Sequence, residues 1–113
     1  MVLDGSKAYA ELLDAGNDWC DKDAAADLLE EQKHSVLSEI KLSSDERSDA
    51  ARETWARANF RYRQFLEAMI EARRLANRAR VRYDAVKTLA ELRRTEESTR
   101  RAELQFVKGG SAG

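Results

Sequence analysis

The sequence contains no proline, and its five glycines all lie near the ends of the chain, so residues 17–108 hold no strong helix breaker. Aromatic residues make up only 7% of the chain, whereas alanine, leucine, glutamate and arginine are abundant. That composition favours helices over sheets. We therefore expect an all-α fold.

Cysteine and histidine are nearly absent, since the chain has only Cys20 and His34. This excludes an internal disulfide and gives no Cys/His spacing typical of a metal site. No glycine-rich phosphate loop or Ser/His/Asp arrangement is recognisable either. We expect neither cofactor, metal nor small-molecule substrate, and a protein that is not an enzyme.

Long apolar segments are also missing. No run of about 18 apolar residues occurs, and the first residues lack the basic-then-apolar layout of a secretory signal. We expect a soluble, cytoplasmic protein that does not enter a membrane.

The charges are abundant and segregated. Residues 1–54 carry six Lys or Arg and fourteen Asp or Glu, a net charge of −8, whereas residues 55–113 carry fourteen and seven, a net charge of +7. A basic half of this kind is typical of a surface that binds anions or nucleic acid. The acidic half either folds back and neutralises the basic half, or it keeps the basic half selective in what it binds.

The first half predicts one amphipathic helix. Residues 1–20 read as an N-terminal arm or short helix between Gly5 and Gly16, and apolar residues at helical spacing place helix 1 at about 21–42. Val36, Ile40 and Leu42 also fit a short strand, which is the alternative for 36–42.

The second half predicts one long coiled-coil-like helix over about 46–105, followed by a flexible tail at 106–113. Ser43 as N-cap with Glu46 three residues later has capping-box spacing. Apolar residues then alternate at spacings of four and three, as in a heptad repeat. We call this row the heptad seam, and its members include Trp55, Tyr62, Phe65, Met69, Ala72, Ala76, Ala79, Tyr83 and Val86.

Such a helix cannot bury its seam alone, and helix 1 at 21–42 is too short to cover it. We therefore predict a self-associating helical hairpin, a homo-oligomer that meets a copy of itself along the heptad seam. The alternative is a break near Arg73 or Arg94 that folds the chain into a small monomeric bundle.

Five arginines cluster within ten residues of the long helix. Local partners are available to two of them, Arg74 near Glu71 and Arg80 near Asp84, whereas the others have no carboxylate three or four residues away. The cluster predicts a phosphate-binding surface, or else ion pairs with the acidic face of helix 1 at Asp23, Asp27, Glu30 and Glu31. Its members are Arg73, Arg74, Arg78, Arg80 and Arg82.

The absence of motifs that read duplex DNA indicates which type of nucleic acid the arginine cluster would bind. No helix-turn-helix, zinc site or basic zipper is present for reading duplex bases, so arginine contacts would go to the backbone without sequence preference. Phe60 lies off the seam and is the candidate for stacking on the bases of a single strand.

Residues 73–83 read Arg-Arg-Leu-Ala-Asn-Arg-Ala-Arg-Val-Arg-Tyr. This segment resembles the central helix of the phage recombination mediator proteins typified by the T-even mediator. The resemblance covers residues 43–84 and includes Asp49-Ala50-Ala51 and the later Tyr62 and Leu66.

The resemblance implies a helical homo-oligomer in the host cell cytoplasm that binds single-stranded DNA. Such proteins help to load a RecA-like recombinase onto strands coated by single-strand binding protein. It would place Arg73, Arg74, Arg78 and Arg80 on DNA, whereas Arg82 rests on the charge argument alone. The alternative function is a phage-encoded protein–protein interaction module, an inhibitor or scaffold of a host protein, that does not bind nucleic acid.

Overall fold

The computed structural model describes residues 5–111 and is helical almost throughout. Its three helices are α1 at Gly5–Lys41, α2 at Asp49–Ala58 and α3 at Phe60–Ser111. This confirms the all-α, elongated, coiled-coil-like fold expected from the sequence. Residues 36–41 belong to α1, so the strand considered for 36–42 does not form.

α1 is longer than predicted, and the predicted boundary between an arm at 1–20 and a helix from about 21 is wrong. The helix runs without interruption from Gly5 for 37 residues. Gly16 lies in its interior facing the ring of Tyr83 on α3, and it costs the helix about 1 kcal/mol relative to alanine. Residues 1–4 of the predicted arm lie outside the described residues.

The predicted long helix is divided into two at Asn59. Its backbone there is extended, with φ −69° and ψ 139°, and its N–H donates to the carbonyl of Ala56 at 3.0 Å. Its side-chain Oδ1 accepts from the N–H of Arg61 at 2.9 Å and so caps α3. Asparagine is among the best N-cap residues, and here this preference ends one helix and begins the next.

The start of the second half also differs from the prediction. The N-cap is Ser48, whose hydroxyl accepts from the N–H of Ala51 at 3.1 Å, and α2 begins at Asp49. The predicted box at Ser43 does not form, because Ser44 accepts from the N–H of Glu46 within a turn that precedes the helix.

α3 continues through most of the predicted tail. Residues 106–111 are helical, whereas 112 and 113 lie outside the described residues. At about 1.5 Å per residue α3 is roughly 78 Å long and α1 roughly 55 Å, so the C-terminal part of α3 extends past the end of α1. We call residues 99–111 the overhang.

α1 packs antiparallel along α3 and covers the heptad seam within one chain. Tyr62, Ala76 and Ala79 are buried, and Phe65, Met69, Ala72, Tyr83 and Val86 are half-buried. The prediction that this seam joins two copies is therefore wrong, because α1 begins early enough to reach it. Trp55 is the exception, since α2 turns at Asn59 and leaves its side chain 37% exposed.

Small residues set the distance between the two long helices. Ala15 and Ala26 on α1 are fully buried, and Ala76 and Ala79 on α3 nearly so. Alanine at the contact lets helix axes approach closely. The Trp19 and Tyr83 rings then pack against each other with centroids 5.3 Å apart.

A second apolar cluster closes the turn of the hairpin. Leu37, Ile40, Ala56 and Tyr62 are buried together, with Val36 and Leu66 packed against them. Ile40 is 2% exposed, and burying a side chain of this size contributes about 1.5–3 kcal/mol. All three helices meet at this cluster, which fixes where α3 begins relative to α1.

The contact at Gly16 gives a paired prediction. An added Cβ would lie 3.4 Å from the Tyr83 ring, an ordinary contact, so Gly16→Ala should stabilise the protein by about 0.5–1 kcal/mol through helix propensity. Gly16→Leu should instead destabilise it, because the larger side chain meets that ring. Urea unfolding followed by circular dichroism measures both. Equal effects of the two substitutions would contradict the close approach.

Candidate functional site

Arg73, the first of the predicted DNA-binding arginines, is held by three carboxylates of α1. Its Nη1 donates to Asp23 at 2.7 Å and its Nη2 to Asp27 at 2.6 Å, while Nε and Nη2 donate to the two oxygens of Glu30 at 2.9 and 3.0 Å. The three acidic residues lie on successive turns of α1. All of them are more than 40 residues from Arg73 in sequence, so the pairing depends on the hairpin.

The protonation of this cluster reflects its geometry. Hydrogen bonds from Arg73 lower the pKa of Glu30 below its ordinary value, and the three carboxylates, Glu30 first, raise the pKa of Arg73. Both groups are therefore charged at neutral pH. Bidentate contact with Glu30 is the geometry that makes arginine–carboxylate pairs specific.

Arg82 is also bound to α1. Its Nη2 donates to Asp14 at 3.0 Å, and its Nη1 lies 3.8 Å from Asp18. Arg73 and Arg82 have no carboxylate three or four residues away, and spacing alone left open whether DNA or helix 1 supplies their partners. The predicted acidic face supplies Asp23, Asp27 and Glu30 to Arg73, whereas the partners of Arg82 lie in the segment predicted as an arm.

The remaining three arginines of the cluster differ from one another. Arg74 pairs with Glu71 at 2.7 and 2.9 Å, as their spacing predicted, and this contact raises its pKa. Arg80 makes no ion pair with Asp84, contrary to the spacing argument, and Arg78 has none either within residues 5–111. The five arginines therefore do not form one unoccupied basic surface.

Phe60, the predicted base-stacking residue, lies apart from these arginines. It is the first residue of α3 and is 70% exposed. Thirteen helical residues separate it from Arg73, about 20 Å along the axis. The structure does not bring it into one site with the cluster.

The charge segregation seen in the sequence is satisfied in part inside the hairpin, at Arg73 and Arg82. α1 carries nine acidic and four basic residues, and α3 carries seven acidic and thirteen basic ones. The two helices lie antiparallel with their opposite charges facing at Arg73 and Arg82. A further ion pair, Lys41 with Asp49 at 2.8 Å, joins α1 to α2, and its hydrogen bond lowers the pKa of that aspartate.

An exposed row of apolar and small residues lies on the face of α3 opposite α1. Its members are exposed and alternate at spacings of four and three, and Val81, Leu92 and Phe106 are 66, 55 and 82% exposed. The sequence analysis missed this row, although its spacing was visible, because the more apolar heptad seam dominates the pattern. We call it the outer stripe, and it comprises Val81, Ala85, Thr88, Leu92, Thr95, Thr99, Ala102 and Phe106.

Two shallow grooves lie on the outer stripe. One, of about 460 Å³, is formed around Val81 and Ala85 and is bordered by Arg74, Arg78 and Arg82. The other, of about 600 Å³, lies on the overhang and is lined by Thr99, Ala102, Glu103, Phe106 and Val107. Both are largely apolar and open to solvent.

The chain offers few other candidates. Within residues 5–111, His, Cys, Asp and Glu side chains nowhere gather in threes as metal ligands would. Cys20 and His34 are both exposed on α1. None of the helices in the described part of the chain is long and apolar enough to span a membrane.

Comparison with known proteins adds no identification, since no protein-family model, curated protein or solved structure matches this chain. The likeness to phage recombination mediators therefore stays a prediction from residues 43–84.

The Arg73 cluster predicts a specific pH dependence. Because the pKa of Glu30 is lower in the folded state than in the unfolded state, its contribution is present at neutral pH and is lost as pH falls below about 4.5 through the folded pKa. Arg73→Gln should thus lower the thermal midpoint by a few degrees at pH 7, and by less at pH 3.

The matched control is Arg80→Gln, which removes a charge from the same helix without breaking an ion pair. Thermal unfolding by circular dichroism should show little change for this variant at either pH. An equal loss in both variants, or an Arg73→Gln effect of the same size at pH 3, would contradict the role given to the cluster.

Proposed function

We propose that this protein is a protein–protein interaction module, a helical hairpin that presents the outer stripe of α3 to a protein partner and does not hold single-stranded DNA. The observation that carries the proposal is the outer stripe itself. Its apolar residues are exposed, regularly spaced and lie on a face that the hairpin leaves uncovered. A helix face with apolar residues at heptad spacing is the pattern by which helices recognise other helices.

The charge distribution supports the same choice. The DNA-binding function expected from the sequence rested on arginines without partners, and two of those, Arg73 and Arg82, are bound by carboxylates of α1. A phosphate backbone approaching them would meet Asp14, Asp23, Asp27 and Glu30 at the same place. Like charges this close oppose binding.

Single-stranded DNA binding is the competing function, and its remaining support is Arg78 and Arg80. Two unpaired arginines on a helix provide a weak anion site, because each phosphate contact adds only one released counterion to the affinity. A mediator of recombinase loading would need a longer basic track than these two residues supply.

Fluorescence anisotropy of a labelled oligo(dT), measured at two salt concentrations, separates the two functions. We expect no salt-dependent binding by the wild-type chain at micromolar protein. Freeing Arg73 through the triple substitution Asp23→Asn, Asp27→Asn and Glu30→Gln should create weak binding at low salt, since it exposes a cation now neutralised.

The outcome that overturns the proposal is tight wild-type binding that falls steeply with salt and is lost in Arg78→Ala/Arg80→Ala. Arg100→Ala/Arg101→Ala is the matched control, because it removes the same charge from another exposed part of α3. Loss of binding in the first pair but not the second would establish a local DNA site.

A further inference from the structure

The outer stripe of one chain can pair in register with the outer stripe of a second chain. Its eight residues are spaced so that a second α3, running in the opposite direction, places Val81 beside Phe106 and Ala85 beside Ala102. The same register sets Thr88 against Thr99 and Leu92 against Thr95. Every one of these residues is exposed in the single chain.

The side chains in this register also match in size. The largest residue, Phe106, meets the groove of about 460 Å³ that surrounds Val81, whereas alanine meets alanine where the helices come closest.

The hydroxyl of Thr95 already donates to the carbonyl of Glu91 at 3.0 Å, so covering it leaves no unsatisfied donor. Buried polar groups without partners are costly, and this register avoids that cost here.

The charges that border the stripe select the antiparallel direction. Antiparallel pairing places Arg82 beside Glu103 of the second copy, twice per dimer by symmetry, and opposes no like charges among the flanking residues. Arg82 would share its guanidinium between Glu103 of the second copy and Asp14 of its own α1, since arginine has five N–H donors. Parallel pairing would instead place Glu91 beside Glu96 of the second copy, also twice. In coiled coils, flanking charges of this kind set partner orientation.

We propose that a second copy of this chain covers the outer stripe, through antiparallel pairing of the two α3 helices. This rests on the proposed function and names the partner as the protein itself. It keeps the self-association expected from the sequence but moves it to the opposite face of α3. The heptad seam holds each hairpin together, and the outer stripe joins two hairpins.

The overhang takes part in this pairing. Residues 99–111 extend beyond the end of α1, and in the antiparallel register they lie along the second copy near its Val81. Val107, which is 65% exposed, lines the groove on the overhang together with Phe106 and lies near the edge of that contact. The arrangement gives a function to a helical segment that the hairpin itself does not use.

Sedimentation velocity of the full chain over a range of concentrations tests the dimer. We expect a monomer–dimer equilibrium whose dissociation constant rises at least about tenfold in Phe106→Asp, since a large apolar contact is lost. Phe60→Asp is the matched control, because Phe60 is also exposed, 70% against 82% for Phe106, but lies off the stripe. Circular dichroism confirms that both variants remain helical.

Disulfide trapping tests the direction of pairing. In a Cys20→Ser background, Ala85→Cys and Ala102→Cys chains should each stay uncrosslinked alone and should form a disulfide dimer when mixed. Crosslinking of either chain by itself would overturn the antiparallel register. Absence of any crosslink, together with a monomer mass at the highest concentration reached, would overturn the dimer.

These outcomes are independent of the DNA measurement. A monomer that does not bind oligo(dT) would end the self-pairing inference and leave the interaction module standing. A dimer that binds oligo(dT) with steep salt dependence would leave the self-pairing inference standing. It would end the proposal that the protein does not hold single-stranded DNA.

Discussion

The structure depends on the packing of α1 along the heptad seam of α3 within one chain. Buried alanines bring the two helices close, and the cluster around Ile40 fixes where the hairpin turns. Exposed ion pairs contribute little to stability and are screened by salt, so apolar burial supplies most of the stabilisation. The pairs at Arg73 and Arg82 act chiefly on specificity, since they match acidic α1 to basic α3 in one register.

This arrangement changes the meaning of the charge segregation. In a chain with an acidic and a basic half, the basic side chains can pair in two ways. They can bind an external polyanion, or the acidic half can fold onto them. Here the contacts run between residues 14–30 and residues 73–82, so folding satisfies two of the five clustered arginines, Arg73 and Arg82. The outer stripe on the far side of α3 stays exposed, and it is the surface that we propose for a protein partner.

The sequence predicted the helical class and the heptad seam because both follow from local periodicity. It misplaced the start of α1, since Gly16 resembles a helix breaker in the sequence, whereas the burial of Ala15 and the packing of Trp19 on Tyr83 carry the helix through that glycine. It missed the division at Asn59, whose capping bonds to Ala56 and Arg61 are not visible in a continuous apolar pattern. The partners of Arg73 lie across the hairpin, where spacing arguments of three or four residues do not reach.

The contact between Trp19 and Tyr83 offers the most direct test of the hairpin, because their ring centroids lie 5.3 Å apart on different helices. The measurement is an isotope-filtered nuclear Overhauser experiment on a mixture of labelled and unlabelled chains. The account predicts a cross-peak between the two rings within labelled chains and none between labelled and unlabelled chains. A cross-peak seen only between chains, or none at all, would contradict it.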